Sequence, residues 1–212
     1  MAFDASEIDK IRKQFEREGI VCIRMGSNRN IHTLSKSLSL YRDIRVSSRK
    51  SLCLDDNKPF AQMMHTVLSS VYENVMGYAL FTGGFPMEYR EYQPRSEGMD
   101  WHRDLKMYHP AQVEMVYTVF NNDQQTCFEW KDLGGTTHTL RPEAGDLVMV
   151  RPNGPMHRVT ALGDGTRSIV KVIGVTKNAR ALPRMHNELF LCREPQHNSA
   201  LTQEDLKDCI IT

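Results

Sequence analysis

Along the first eighty residues the apolar positions repeat mainly at helical spacing, and from Phe85 onward they alternate or gather in short blocks. Ile8, Ile11 and Phe15 predict a helix over 4–18, with Ser6 as its cap and Gly19 as its stop. Residues 20–25 then read as a strand. Residues 26–57 are polar and rich in Ser, Asn and Arg, which predicts a loop with short helical pieces. Met63, Met64, Val67, Leu68, Val71 and Val75 form a stripe on a second helix over 58–80, a core-facing pattern. Eight strands follow, over 86–93, 99–105, 112–121, 126–131, 136–141, 146–151, 156–161 and 167–176. Gly-rich and Pro-rich turns such as Gly134-Gly135 and Pro152–Pro155 separate them. Many short strands at even spacing predict a mainly β fold with flanking helices, built on a barrel or a double-sheet jelly roll. The expected organisation is one domain over 1–212. Residues 1–84 support a β core at 85–176, and a charged extension fills 177–212, where Thr202 caps a last helix ending at Ile211.

Composition narrows the setting. A chain of 212 residues buries a sizeable core unaided, and a formal charge of +1 creates no global field favouring nucleic acid or membrane. Arg90, Arg95, Arg103, Lys106, Arg151 and Arg158 cluster in sequence; they read either as solvated surface or as contacts to an anionic or extended substrate. Cys22, Cys53, Cys127, Cys192 and Cys209 are odd in number and contain no Cys-x-x-Cys pair. That argues against a zinc knuckle or a disulfide framework and for a reducing compartment. No apolar run reaches membrane-spanning length, and the first residues lack the basic and apolar regions of a signal peptide. The expectation is a soluble, cytoplasmic protein.

The chemistry lies in His102, Asp104, His157 and Arg167. Two imidazoles and one carboxylate are the donors a non-haem Fe(II) site needs, with three positions left open. Arg167 follows His157 by ten residues (167 − 157) and can grip a carboxylate through two hydrogen bonds. A His-x-Asp element arises by chance in a chain with 8 His, so its surroundings decide. His186-x-Glu188 offers the same donor types, but only His197 lies downstream and no arginine follows it; that pair reads as surface. On a strand, residues i and i+2 share a face, so His102 and Asp104 project together while Arg103 points away. His157 opens a strand directly after the Pro152-Asn153-Gly154-Pro155 turn, and Arg167 opens the next strand, expected beside His157.

From about Phe85 to Thr176 the chain resembles the Fe(II)/2-oxoglutarate-dependent dioxygenases, and within them the prolyl-4-hydroxylase-like branch. The matching residues are Trp101-His102-Arg103-Asp104, the strand 116–121, Gly134-Gly135, the run from Arg141 to Asp146, and His157 through Arg167. The first helix with Gly19 to Arg24 also looks like the start of such folds. The resemblance implies a double-stranded β-helix core of cupin type. It implies Fe(II) on His102, Asp104 and His157, 2-oxoglutarate chelating the metal, and Arg167 on the far carboxylate. O2 is the second co-substrate, with ascorbate as a reductant, and oxidative decarboxylation to succinate and CO2 is coupled to hydroxylation of a C–H bond.

Tyr92, ten residues before His102 (102 − 92), falls where this branch often places a tyrosine against the co-substrate. Tyr117 shares a strand face with Val113, Met115 and Val119 that reads inward, and its hydroxyl needs a partner there. Each tyrosine also reads as a core residue bonded to a backbone carbonyl. Arg90, on the same face as Tyr92, and Arg103 are candidate substrate contacts, against the plainer reading of salt-bridged surface arginines. Trp101 and Trp130 read as packing, Asp146 as a turn residue, and His109 and His138 as structural or exposed.

Three functions compete. The branch resemblance implies hydroxylation of a prolyl or other protein side chain. The same chemistry on a free amino acid, small metabolite or nucleobase is the alternative; the stretch Ser168–Val175 carries only Lys171, against the second arginine expected in nucleic-acid repair enzymes of this type. A non-catalytic cupin-like binding domain is the third.

Overall fold

A computed structural model describes residues 3–42, 47–54 and 59–185. Helix α1 spans Ala5–Glu18. Its cap is Asp4 rather than Ser6: the Asp4 carboxylate accepts from the Glu7 amide at 2.9 Å and Glu7 reaches back to the Asp4 amide at 3.0 Å. Glu7 stands three residues after Asp4, which completes a reciprocal capping box that Ser6 has no partner for. Gly19, at φ 72°, ends the helix. The chain then enters strand β1 (Ile20–Arg24) and helix α2 (Arg29–Ser35).

The polar stretch expected as loop holds more order than its composition suggests. It contains β2 (Tyr41–Arg42) and β3 (Arg49–Leu54) as well as α2. β3 forms because it pairs along its whole length with β4 (Met87–Tyr92), from Arg49 opposite Tyr92 to Leu54 opposite Met87. Partner hydrogen bonds outweigh local propensity here. Helix α3 (Pro59–Met76) buries Met64, Leu68, Val71 and Val75 of the stripe read from the sequence, with Tyr72 besides, while Met63 and Val67 are half-buried.

The remaining strands are β5 (Met99–His102), β6 (Tyr108–His109), β7 (Gln112–Asn121), β8 (Phe128–Lys131), β9 (Thr137–Leu140), β10 (Asp146–Val150), β11 (His157–Val159), β12 (Arg167–Val175) and β13 (Arg180–Ala181). Eight of these match the expected segments in β4, β5 and β7–β12. The short pair β6 and β13 was not expected, since two residues carry no periodic signal. The expected helix with Thr202 as cap, Cys192, Cys209, and the His186, Glu188 and His197 set lie outside the described residues.

Two sheets make the core. The larger runs β1-β10-β7-β12-β4-β3-β2, and the smaller β5-β11-β8-β9. This is the double-stranded β-helix jelly roll. The larger sheet is buried on both faces. Val113, Met115, Tyr117, Val119, Leu147, Met149, Val170 and Val172 pack against the helices. The opposite face looks toward the smaller sheet. There Ile20, Val148 and Val150 pack on Phe128 at one side, and Ile173 and Val175 pack with Phe85, Met107 and Tyr108 at another. Full burial of such side chains contributes about 1.5–3 kcal/mol each. Between these two apolar clusters the same sheet face turns polar, and a cavity opens there.

Candidate active site

His102 and His157 face each other because β5 and β11 are adjacent antiparallel strands in which these two residues are directly paired. Their ring centroids are 4.3 Å apart. Each ring is oriented by a backbone carbonyl: His102 Nδ1 lies 2.7 Å from the Asp100 oxygen, and His157 Nδ1 lies 3.1 Å from the Pro155 oxygen. A carbonyl only accepts, so Nδ1 carries the proton in both rings and both Nε2 lone pairs are free. His102 Nε2 sits 3.8 Å from Asp104 Oδ1, and His157 Nε2 sits 3.5 Å from Asp104 Oδ2.

Asp104 lies two residues beyond the end of β5, where the sequence pattern placed it inside the strand. Its position is held from the other side: the Asn153 amide donates to the Asp104 carbonyl at 2.8 Å. The tight turn before His157 therefore anchors the loop that carries the carboxylate.

The three donors fit a metal. They lie within 4.8 Å of one another, and Asp104 Oδ2 is buried without a hydrogen-bond partner. Burial, together with the neighbouring Glu114, pushes the Asp104 carboxyl up to about 7. Burial also lowers His157, leaving it neutral at physiological pH. Two imidazoles and a buried carboxylate oxygen without a hydrogen-bond partner among the described residues suit a divalent first-row metal.

The cavity encloses about 200 Å³. Arg167 opens β12 in the larger sheet, so it faces the histidines from the opposite wall instead of lying beside His157 in the same sheet. The chain crosses between sheets in the 160–166 loop, which sequence adjacency does not reveal. Arg167 is 4 % exposed, its Nε has no partner, and no carboxylate pairs with it among the described residues. Tyr92 is its neighbour across β4. Burial raises the Tyr92 phenol, but the guanidinium groups of Arg90, Arg49 and Arg167 outweigh it and hold the phenol below its usual value. Arg49 also lies over the Tyr92 ring, 5.8 Å from its centroid.

Two expected residues stand elsewhere. Tyr117 is on the helix-facing side of β7 with Val113, Met115 and Val119, and its ring does not line the cavity. The face was grouped correctly by strand parity; because both faces of this strand are buried, burial alone does not tell which one meets the cavity. Arg103 is exposed and donates to the Gly154 carbonyl, outside the cavity. Arg90 does line it. Outside the cavity, Trp101 packs between Lys131 and Arg158, each 4.9 Å from its ring, and His138 stacks on Trp130 while pairing with Asp132.

The sequence reading does not single out Arg49, Glu88 or Glu114. Glu114 and Lys171 line the cavity and form an ion pair at 2.6 Å. Buried Glu88 accepts from Arg90. A signal existed: Glu114 between Val113 and Met115, and Lys171 between Val170 and Val172, are charges inside otherwise apolar strands.

The two-sheet β-helix is the fold of solved alpha-ketoglutarate-dependent and 2OG-Fe(II) oxygenases, and this chain shares it. No family model and no curated protein matches the chain in sequence. Solved structures do match. The alpha-ketoglutarate-dependent epimerase SnoN of nogalamycin biosynthesis is similar with a TM-score of 0.72 and 13% identity, over 95% of this chain and 98% of that one. A prolyl-4-hydroxylase of Pseudomonas putida aligns with a TM-score of 0.62 and 14% identity, over 79% of this chain and 98% of its own. HygX of Streptomyces hygroscopicus, solved with nickel and 2-oxoglutarate, aligns with a TM-score of 0.63 and 10% identity, over 84% and 89%. At these identities the likeness establishes the fold.

Proposed function

We propose that the chain is an Fe(II)- and 2-oxoglutarate-dependent oxygenase that hydroxylates a C–H bond. The observation that carries this reading is Arg167: a buried guanidinium with no paired carboxylate among the described residues, facing a two-histidine, one-carboxylate cluster across one small cavity. A lone buried cation is costly unless a ligand neutralises it. A dicarboxylic keto acid supplies one carboxylate for the metal and one for the arginine.

His102, Asp104 and His157 would hold Fe(II), which supplies the O2 chemistry when bound. The protein's own part is positioning. The Asp100 and Pro155 carbonyls keep the imidazole lone pairs aimed inward. Arg167 and Tyr92 hold the far carboxylate of the co-substrate at the opposite end. Phe128, Val148, Val159 and Ile169 line the cavity between the charged groups and exclude water from it. A binding domain without turnover would need neither the open metal positions nor the lone arginine.

The substrate has two readings. Likeness to a prolyl hydroxylase supports a protein or peptide side chain. The charged side chains of the cavity favour a small polar molecule instead; SnoN and HygX have been solved with the small molecules nogalamycin RO and hygromycin B bound. No helix among the described residues is long and apolar enough to cross a membrane. Anaerobic titration of 2-oxoglutarate into the Fe(II)-loaded protein tests the oxygenase reading. A metal-to-ligand charge-transfer band in wild type, absent in His157→Ala, is the expected result, followed by succinate release in air. A band of full strength in His157→Ala would sink the metal assignment.

A further inference from the structure

Tyr92 is the middle of a row of three residues from three adjacent strands. Its partner across the β3–β4 ladder is Arg49, and its partner across the β4–β12 ladder is Arg167. Directly opposed residues of antiparallel strands send their side chains to the same face, and all three line the cavity. Arg49 and Arg167 are each 4% exposed. The Arg49 guanidinium carbon lies 5.8 Å from the centroid of the Tyr92 ring. On the oxygenase reading, Arg167 and Tyr92 meet the far carboxylate of 2-oxoglutarate. Arg49, from the segment whose composition predicts a loop, has no part in that reading so far.

The donors and acceptors around the phenol give it one. A phenol has one O–H to donate and lone pairs with which to accept, whereas a guanidinium has five N–H donors and no acceptor. The charged groups that act on Tyr92 are Arg90 on its own strand, Arg49 on β3 and Arg167 on β12. None of them can accept from its hydroxyl. Of the carboxylates that line the cavity, Asp104 belongs to the metal cluster, Glu114 pairs with Lys171, and Glu97 is exposed. Glu88 is engaged by Arg90, and Asp146 acts on Arg167. The Tyr92 hydroxyl donates no hydrogen bond among the described residues. Its oxygen is met by donors, and its O–H is left for an acceptor that a ligand brings. Burial raises the phenol, but the three guanidinium charges lower it, and Arg49 adds to its charge a hydrogen bond toward the phenol oxygen. A phenol polarised from behind in this way is the stronger donor in front.

We propose that Arg49 is a positioning residue of the co-substrate end of the cavity: it holds the Tyr92 oxygen from behind, so that the phenol donates its O–H to the carboxylate gripped by Arg167. The proposal rests on the oxygenase reading and deepens it. Tyr92 stands between the two arginines in the row, so Arg49 acts on the carboxylate through the phenol.

The test reads binding without turnover. The full chain is loaded with Mn(II), and 2-oxoglutarate is titrated by calorimetry at neutral pH into wild type, Arg49→Met, Tyr92→Phe and the double variant. Each single variant should weaken 2-oxoglutarate about tenfold, the worth of one charge-assisted hydrogen bond. The double variant should be no more than about twofold weaker than Tyr92→Phe, because residues that act as one unit are not additive. Arg49→Lys should recover part of the loss. Tyrosinate ultraviolet absorbance of the metal-free protein gives a second reading that a merely structural role would not move. One of the 7 tyrosines should ionise below the usual value, be missing in Tyr92→Phe, and ionise higher in Arg49→Met. Circular dichroism reports whether each variant folds; should Arg49→Met not fold, Arg49→Lys carries both readings, in the same directions and with smaller size. Wild-type 2-oxoglutarate affinity in Arg49→Met or in Tyr92→Phe overturns the proposal. So does an equal loss from Arg49→Met in the wild-type and Tyr92→Phe backgrounds, which would put Arg49 on the carboxylate itself. An unmoved tyrosine titration in Arg49→Met overturns it as well. Failure of the Mn(II)-loaded wild type to bind 2-oxoglutarate would instead remove the oxygenase reading beneath it.

Discussion

Arg167 and Asp104 are complementary problems set by burial: a guanidinium and a carboxyl group, each with a buried polar atom that has no hydrogen-bond partner among the described residues. Removing one partner of a buried charge-assisted pair costs about 2–5 kcal/mol. Arg167→Ala is therefore expected to weaken 2-oxoglutarate by roughly one to three orders of magnitude, at about 1.4 kcal/mol per decade. Arg167→Lys should recover part, keeping the charge without the fork. Titrating the charge-transfer band in both variants measures this, and wild-type affinity in Arg167→Ala would disprove the role. At Asp104 the direction of the shift sets a pH dependence. Its folded value, raised to about 7, lies above the usual carboxylate range. The protonated form is thus favoured in the metal-free protein, and that stabilisation is lost as pH rises from about 4 through about 7. A metal must displace the proton, so Mn(II) affinity should fall as pH drops below about 7, with about one proton released per metal near pH 6. Calorimetry in buffers of different ionisation enthalpy counts that proton. A proton count near zero at pH 6 would contradict it.

Two elements hold the site together through single residues. Gly98 precedes β5, and a Cβ there would lie 2.5 Å from the Val159 oxygen and 2.7 Å from the Ala161 nitrogen. Only glycine lets β5 approach β11 closely enough to bring the two histidines together. Gly98→Ala should cost about 1–3 kcal/mol through overpacking and weaken metal binding beyond that of a surface variant of equal stability. Asp123 ties the loop after β7 to the loop that delivers Arg167. Its carboxylate accepts from the amides of Thr126 (2.5 Å), Gly163 (2.9 Å), Gln125 (3.0 Å) and Gly165 (3.3 Å). Burial alone would raise this carboxyl, but the four amides outweigh it and hold it below the usual range. Its contribution is therefore present above about pH 4 and lost as pH falls through the lower folded value. Asp123→Ala should destabilise by about 2–4 kcal/mol at neutral pH, and Asp123→Asn should flatten the acid limb of the stability curve. Urea unfolding at pH 7 and pH 3 checks both.

At the scale of the whole molecule, the two sheets meet at the proposed ligands, so ligands and fold are linked. Mn(II) and 2-oxoglutarate at about a hundred times their dissociation constants should each add about 2.7 kcal/mol. The melting temperature should rise stepwise in wild type, and in Asp104→Ala neither addition should matter. An undiminished rise in Asp104→Ala would place the metal elsewhere.

The sequence by itself determined what depends on local pattern. Alternation in β4, β5 and β7–β12 fell to within three residues of the observed strands, because most of them bury at least one face. The His102, Asp104, His157 and Arg167 set was legible from residue type, spacing and resemblance. Only the tertiary structure decided what depends on pairing between distant segments. β3 is a strand because β4 lies beside it. Arg167 faces His157 instead of flanking it, because the chain changes sheets between them. Tyr117 and Glu114 sit on opposite faces of β7, both buried, and alternation does not say which face meets helices and which meets the cavity. The paired charges at Glu88, Arg90, Glu114 and Lys171 come from three strands that are far apart in the chain. The contacts among them exist only once β4, β12 and β7 lie side by side.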